Sequence, residues 1–175
     1  MKKIVCLILA LALLTVCAAC SKGTDYSKYG DSAVIEIGSA NAKAGGTVKL
    51  DISLNNNPGT SAIGIELDYD SSVLTPVSIE RSGKLDGQGF FTSNLEGEDE
   101  YGAFEGDEGA TVQGIWFNSA DFTGNGKVMT VTFKVADDAQ PGEYAVTVVQ
   151  HEDDLTNQNL EYLDVVYIDG SVTIS

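Results

Sequence analysis

From Ala33 to the C-terminus, apolar side chains recur at every second position in short runs separated by turn residues. Val48, Leu50, Ile52 and Leu54 alternate with Lys49, Asp51 and Ser53, the pattern of a strand with one buried face. A turn follows at Asn55-Asn56-Asn57-Pro58-Gly59, where Pro sets φ and Gly accepts φ > 0. Ile63, Ile65, Leu67 and Tyr69 then share one face of the next strand, and Ala62, Gly64, Glu66 and Asp68 share the other. Residues 34–37, 73–80, 111–118, 128–135, 144–150, 162–168 and 171–174 are rich in β-branched and aromatic side chains and predict further strands. Beyond the N-terminal leader, helical periodicity is never sustained, and residues 95–104 are expected to hold a turn or two of helix at most. About nine short strands in one domain predict an all-β fold, a jelly-roll sandwich of two packed sheets.

The leader has its own logic. Lys2 and Lys3 precede an almost wholly apolar run, residues 4–19, about as long as a signal-peptide core and short of the ~20 residues of a membrane-spanning helix. It ends in Ala18-Ala19-Cys20-Ser21, small residues before a cysteine, as a lipoprotein signal peptidase requires. Cys20 is therefore the expected lipidation site. Cys17, after Leu14-Thr15-Val16, is a weaker alternative because Val16 is bulky, and ordinary cleavage after Ala19 is another. This divides the chain into a leader (1–20), a polar tether (21–31) and one domain (32–175), long enough for a single core. All three cysteines, Cys6, Cys17 and Cys20, fall within the leader or at its end. The domain thus has no disulfide and no thiolate metal site.

Charge removes some partners. Losing Lys2 and Lys3 with the leader takes the formal net charge from −16 to −18. Such a field repels nucleic acid and anionic membrane surfaces, and the domain is read as a monomer without cofactors. Catalytic chemistry has little to build on. His151 is the sole histidine and reads as an exposed strand end; no G-x-S-x-G elbow is present. Carboxylates are plentiful, but a glycosidase pair also needs a cleft lined by aromatic rings, and Trp116 is the only tryptophan. Asp121-Phe122-Thr123-Gly124-Asn125-Gly126 copies the first half of a calcium loop, yet Thr132 stands where a bidentate carboxylate is required. It is read as a β-turn. The acidic stretch 96–109 lacks regular ligand spacing and is read as a solvated loop.

Several pieces in order resemble the cohesin family. Leu67-Asp68-Tyr69-Asp70-Ser71-Ser72-Val73-Leu74 is similar to the family's YDPSVL signature, and it follows an N-x-P-G turn. The run from Gly126 to Val135 (GKVMTVTFKV) resembles GDGVLATITFKV. Pro141-Gly142-Glu143-Tyr144 resembles the AGTY turn, and Asp169-Gly170-Ser171-Val172-Thr173-Ile174 the closing strand.

The resemblance implies a nine-stranded jelly roll that binds dockerin modules, small helical domains carrying their own calcium, and so assembles polysaccharide-degrading enzymes into cellulosomes. It implies a non-catalytic module whose interface is one sheet face. By position that face would present Ala62, Gly64, Glu66 and Asp68, with Gly114 and Trp116 beside them, Asn118 or Ser119 at the rim, and the 155–159 loop from Leu155 at its border. Well-studied cohesins carry Asn and Asp where Ala62 and Gly64 stand, so a different dockerin type or a more apolar contact is implied. Exposure of Trp116 would suit a binding hot spot. The opposite phase, with Ile115 and Phe117 outward, is equally compatible with alternation. The rival function is a lipid-anchored carbohydrate- or solute-binding protein, with Phe90, Phe91, Tyr101 and Phe104 as loop aromatics.

Overall fold

The computed structural model describes residues 24–85, 87, 89–95 and 111–175, with only the backbone of Thr111. The leader with Cys20, the acidic 96–109 stretch, Tyr101, Phe104 and the helical turn expected at 95–104 lie outside these residues, Leu95 excepted. After a 3-10 turn at Ser27–Tyr29 come twelve strands: β1 Ala33–Ile37, β2 Ala40–Ala42, β3 Thr47–Asn55, β4 Thr60–Tyr69, β5 Leu74–Arg81, β6 Phe90–Asn94, β7 Thr111–Phe122, β8 Gly126–Val135, β9 Gly142–Val149, β10 Leu155–Thr156, β11 Val165–Ile168 and β12 Gly170–Ile174. The all-β sandwich is as expected. The three additional strands are β2, β6 and β10; β2 and β10 carry too few residues to display a period, and β6 opens on two consecutive aromatics, Phe90 and Phe91.

One sheet runs β11-β1-β3-β8-β5; the other runs β2-β12-β9-β4-β7-β6, with β10 beside β4. The first and last strands change sheets at one corner. β1 leaves the five-stranded sheet at Gly38 and continues as β2 in the seven-stranded one, while β11 passes to β12 at Gly170. The two crossings touch: a Cβ at residue 170 would run into the Gly38 carbonyl, so only glycine fits.

The alternating residues of both sheets meet between the layers. Leu50, Ile52 and Leu54 of β3, Ile63, Ile65 and Leu67 of β4, and Val131 and Phe133 of β8 are all essentially fully buried there. Tyr69 packs on Phe133 with ring centroids 5.0 Å apart. Trp116 corrects the expected exposure: it is fully buried, opposite Ile63 in the β4–β7 ladder and edge-on to Phe122 at 6.1 Å. Gly114 shares its inward phase, for an added Cβ would lie 2.8 Å from Ile79 Cδ1 and 3.1 Å from Met129 Sδ. The reason is volume. An indole fills the space beside Ile63, whereas the glycine two residues away admits Ile79 and Met129 from the facing sheet.

Trp116→Ala should therefore cost about 3–5 kcal/mol of stability in urea denaturation. Fluorescence from Trp116 should be that of a buried indole and resist external quenchers.

Candidate functional site

With Trp116 inward, period two sends Gln113, Ile115 and Phe117 of β7 to the outer face of the seven-stranded sheet. Register places them beside β4: Phe117 opposite Ala62, Ile115 opposite Gly64 and Gln113 opposite Glu66. On the other edge of β7, Phe90 pairs with Phe117, Thr92 with Ile115 and Asn94 with Gln113. Phe90 and Phe117 are 55% and 48% exposed, and their ring centroids are 5.2 Å apart at an interplanar angle of 36°. β6 can begin this close because Gly89 takes φ +66° against the Phe117 carbonyl, where a Cβ would collide. Beside the ledge made by Ile115, Phe117 and Phe90, β4 presents only the small residues Ala62, half-buried, and Gly64, buried.

The residues expected at this face divide. Ala62, Gly64, Glu66 and Asp68 do occupy the outer phase of β4, and Asp68 is exposed. Gly114 and Trp116 belong to the core. Leu155 is also a correction: it is no loop-border residue but sits in β10 opposite Ile63, fully buried. Asn118 spends its amide locally, donating to the Ala120 carbonyl at 3.2 Å and accepting from Ser119 N at 2.9 Å. It and Ser119 lie where the β4–β7 register slips, past the last regular pair at Phe117. Phe90 and Phe117 are the residues that sequence reasoning placed in a loop or left as the second choice.

Glu66 is not a free surface carboxylate. β9 pairs with β4 only from Glu66 to Tyr69, and β10 takes over at Ala62 and Ile63. Between them the 150–154 turn closes the edge, the Asp154 carbonyl accepting from Gly64 N at 2.7 Å. This turn carries His151 over Glu66, with Nε2 3.0 Å from Oε2 and Glu66 only 1% exposed. Asp154 Oδ2 accepts from His151 N at 3.0 Å and from the Tyr167 hydroxyl at 2.6 Å. Burial raises the Asp154 carboxyl above its ordinary value, although these two bonds oppose the shift. Burial also raises the Tyr167 phenol, helped by the adjacent Asp154 carboxylate. His151 is thus a partly buried structural ligand rather than an exposed strand end. The signal was faint, a lone histidine ahead of three acidic residues.

The calcium-like turn is clamped by protein groups. Asp121 Oδ1 accepts from Gln158 N at 2.7 Å, and Asn125 Oδ1 from Asn57 N at 3.0 Å. Asn57 Nδ2 donates to the carbonyls of Phe122 and Gly124 at 2.7 and 3.1 Å. The loop oxygens therefore fasten the β3–β4, β7–β8 and 157–161 turns to one another.

Removing the His151 ring strands a buried carboxylate, so His151→Ala should cost about 1–3 kcal/mol. The same change made in a Glu66→Gln background should cost clearly less, which a double-mutant cycle by urea denaturation measures. Tyr167 supplies a pH dependence. Its folded-state pKa lies above the ordinary 10.0, so between those values the native state keeps a proton that the unfolded chain releases. The associated stability is complete below pH 10 and falls as pH rises beyond it. Tyr167→Phe should make that alkaline decline shallower in denaturation series run on either side of pH 10.

Comparison with known proteins agrees with this architecture. No curated protein matches the chain. Among solved structures, a type I cohesin–dockerin complex (Coh-OlpA-Doc918) from Clostridium thermocellum superposes with a TM-score of 0.68 at 16% identity, over 82% of this chain and 99% of that one. The seventh ScaB type I cohesin from Pseudobacteroides cellulosolvens gives 0.66 at 19%, over 82% and 92%. A non-cellulosomal cohesin from the archaeon Archaeoglobus fulgidus gives 0.66 at 19%, over 82% and 91%. At these identities the structural likeness is one of fold. The family model described as the cohesin domain matches residues 33–174, nearly the whole folded part, and the chain belongs to the cohesin domain family.

Proposed function

We propose that this chain is a non-catalytic docking module, exported and held on the cell surface by a lipid at Cys20, that captures dockerin-bearing proteins on the outer face of its seven-stranded sheet. The observation that carries the reading is the exposed Phe90–Phe117 pair, lying beside Ile115 and the small residues Ala62 and Gly64. An apolar ledge of this kind suits the apolar side chains of a packed helix, and aromatic anchors dominate such contacts. Ala62 and Gly64 offer no side-chain hydrogen bonds, so shape and apolar contact are the main contribution of β4. Asp68 supplies a polar rim. The calcium belongs to the dockerin. A carbohydrate platform gains no support from this geometry, because Phe90 and Phe117 are inclined to one another and Trp116 is buried.

The test is calorimetric titration with the dockerin modules of the source organism, with and without a calcium chelator. At least one should bind in calcium and be lost on chelation; failure of every dockerin to bind would sink the reading. Phe90→Ala with Phe117→Ala should weaken that binding on the order of 100-fold while leaving thermal stability nearly unchanged. Thr130→Ala, on the opposite sheet, should leave the affinity as it was.

A further inference from the structure

Among the described residues, every cation that lies in a strand belongs to the five-stranded sheet. Beyond the leader and residue 22, its Lys and Arg residues are Lys28, Lys43, Lys49, Arg81, Lys84, Lys127 and Lys134. Lys49, Arg81, Lys127 and Lys134 lie on strands of the five-stranded sheet; Lys28, Lys43 and Lys84 lie in the turns that lead into or out of it. No strand of the seven-stranded sheet carries a Lys or Arg. The five-stranded sheet sets four cations against three carboxylates, Glu36, Asp51 and Glu80; the seven-stranded sheet has Glu66, Asp68, Asp121 and Glu143 with no cation opposing them. Lys49, Lys127 and Lys134 alternate with the core residues of β3 and β8, so they project from the outer face of their sheet, where all three are exposed; Lys127 pairs there with Asp51 at 3.3 Å and Lys134 stands 4.0 Å from Asp137.

A second, independent feature points to the same side. The segment leading back to Cys20 does not leave the domain freely. The Tyr26 hydroxyl donates to Glu36 of β1, and the Tyr26 carbonyl accepts from Asn56 Nδ2 at 3.0 Å. Glu36 and Val34 alternate with the core residues Ala33, Ile35 and Ile37, so they face outward from the five-stranded sheet; Val34 is nevertheless fully buried. The expected tether is therefore fastened to the domain from Tyr26 onward. Six residue steps separate Cys20 from Tyr26, at most about 20 Å of chain. A compact domain of this size is roughly 35 Å across, so such a leash restricts how far it can turn over.

We infer that the outer face of the five-stranded sheet is turned towards an anionic phospholipid surface, with the Phe90–Phe117 face directed away from it. The orientation follows from relative charge: Lys49, Lys127 and Lys134 leave this face close to neutral, with Lys127 paired to Asp51 and Lys134 beside Asp137. The carboxylates of the other sheet are uncompensated, so repulsion from anionic headgroups is least with the five-stranded sheet inward, within the short reach of screened electrostatics. This orientation rests on the proposed lipid at Cys20.

Full-length protein, processed in a bacterial host and reconstituted into vesicles of phosphatidylglycerol and phosphatidylcholine, tests the inference. Cys6 and Cys17 leave with the leader and Cys20 is blocked by its lipid, so one introduced cysteine takes a fluorophore uniquely. Thr47→Cys reports the outer face of β3, and Thr92→Cys the outer face of β6. Headgroup-labelled quencher lipids should quench the residue-47 probe severalfold more than the residue-92 probe. Reversing Lys49, Lys127 and Lys134 to Glu should narrow that difference without changing dockerin affinity. Equal quenching at the two positions, or stronger quenching at residue 92, overturns the orientation even when dockerin binding is intact. A mature N-terminus without lipid, read by mass spectrometry, overturns it through loss of the anchor, whereas dockerin capture stands or falls by its own titration.

Discussion

The pairing of β4 with β7 is the constraint on which the rest depends. A strand has two faces, and a shift of one residue exchanges them. Once Trp116 stands opposite Ile63 inside the sandwich, Phe117 must stand opposite Ala62 outside it, and Ile115 opposite Gly64. The core and the exposed face are therefore one decision. β6 inherits the same parity through its own ladder, so Phe90 joins Phe117 outside while Phe91 packs against the core. A change that displaced the indole would disturb the outer ledge even though the two surfaces share no side chain.

Most of the fold was legible because most strands alternate unambiguously. In β3, Lys49 and Asp51 can only face water, so Val48, Leu50 and Ile52 must face inward. β7 offers no such marker. Gly114, Ile115, Trp116 and Phe117 are all compatible with either side, and what resolves them is the space left by the opposite sheet. Ile79 and Met129 reach to where a side chain at Gly114 would be, and that contact is tertiary. The site was legible where it lies on β4 and illegible where it lies on β7 and β6. β6 was missed for a related reason: Phe90 and Phe91 are consecutive aromatics behind a glycine-rich turn, with no alternation until the strand is paired. β10, only two residues long, owes its existence to the edge of β4 that β9 vacates.

That vacated edge explains why polar groups are buried beneath a face otherwise apolar. Where β9 diverges, β4 would leave Gly64 N without a ladder partner, and the 150–154 turn supplies Asp154 O in its place. Seating the turn brings His151 onto Glu66 and Tyr167 onto Asp154. Glu66 Oε1 and Asp154 Oδ1 remain without hydrogen-bond partners, a cost of about 1–3 kcal/mol for each group if unrelieved. Burying ions is rarely the cheapest route to stability. Here the arrangement fixes the position of a turn that a purely apolar contact would leave free to slide, and the turn borders the face that carries Phe90 and Phe117.

On the proposed reading, a two-sheet sandwich anchored at one end would divide its surfaces between attachment and capture. The N-terminal segment lies against the outward side of β1, between β11 and β3 in the five-stranded sheet, and the strands of that sheet hold all the cationic residues found in described strands. The strands of the seven-stranded sheet carry neither, and its outer face exposes Asp68, Phe90 and Phe117 while Gly64, Glu66 and Gln113 between them are buried. An acidic surround with an apolar centre favours a partner whose apolar stripe is flanked by cations, and it disfavours close approach by a second copy of the same acidic chain. On the proposed reading, charge would select among partners at long range, and the ledge of Ile115, Phe117 and Phe90 would discriminate among them at contact.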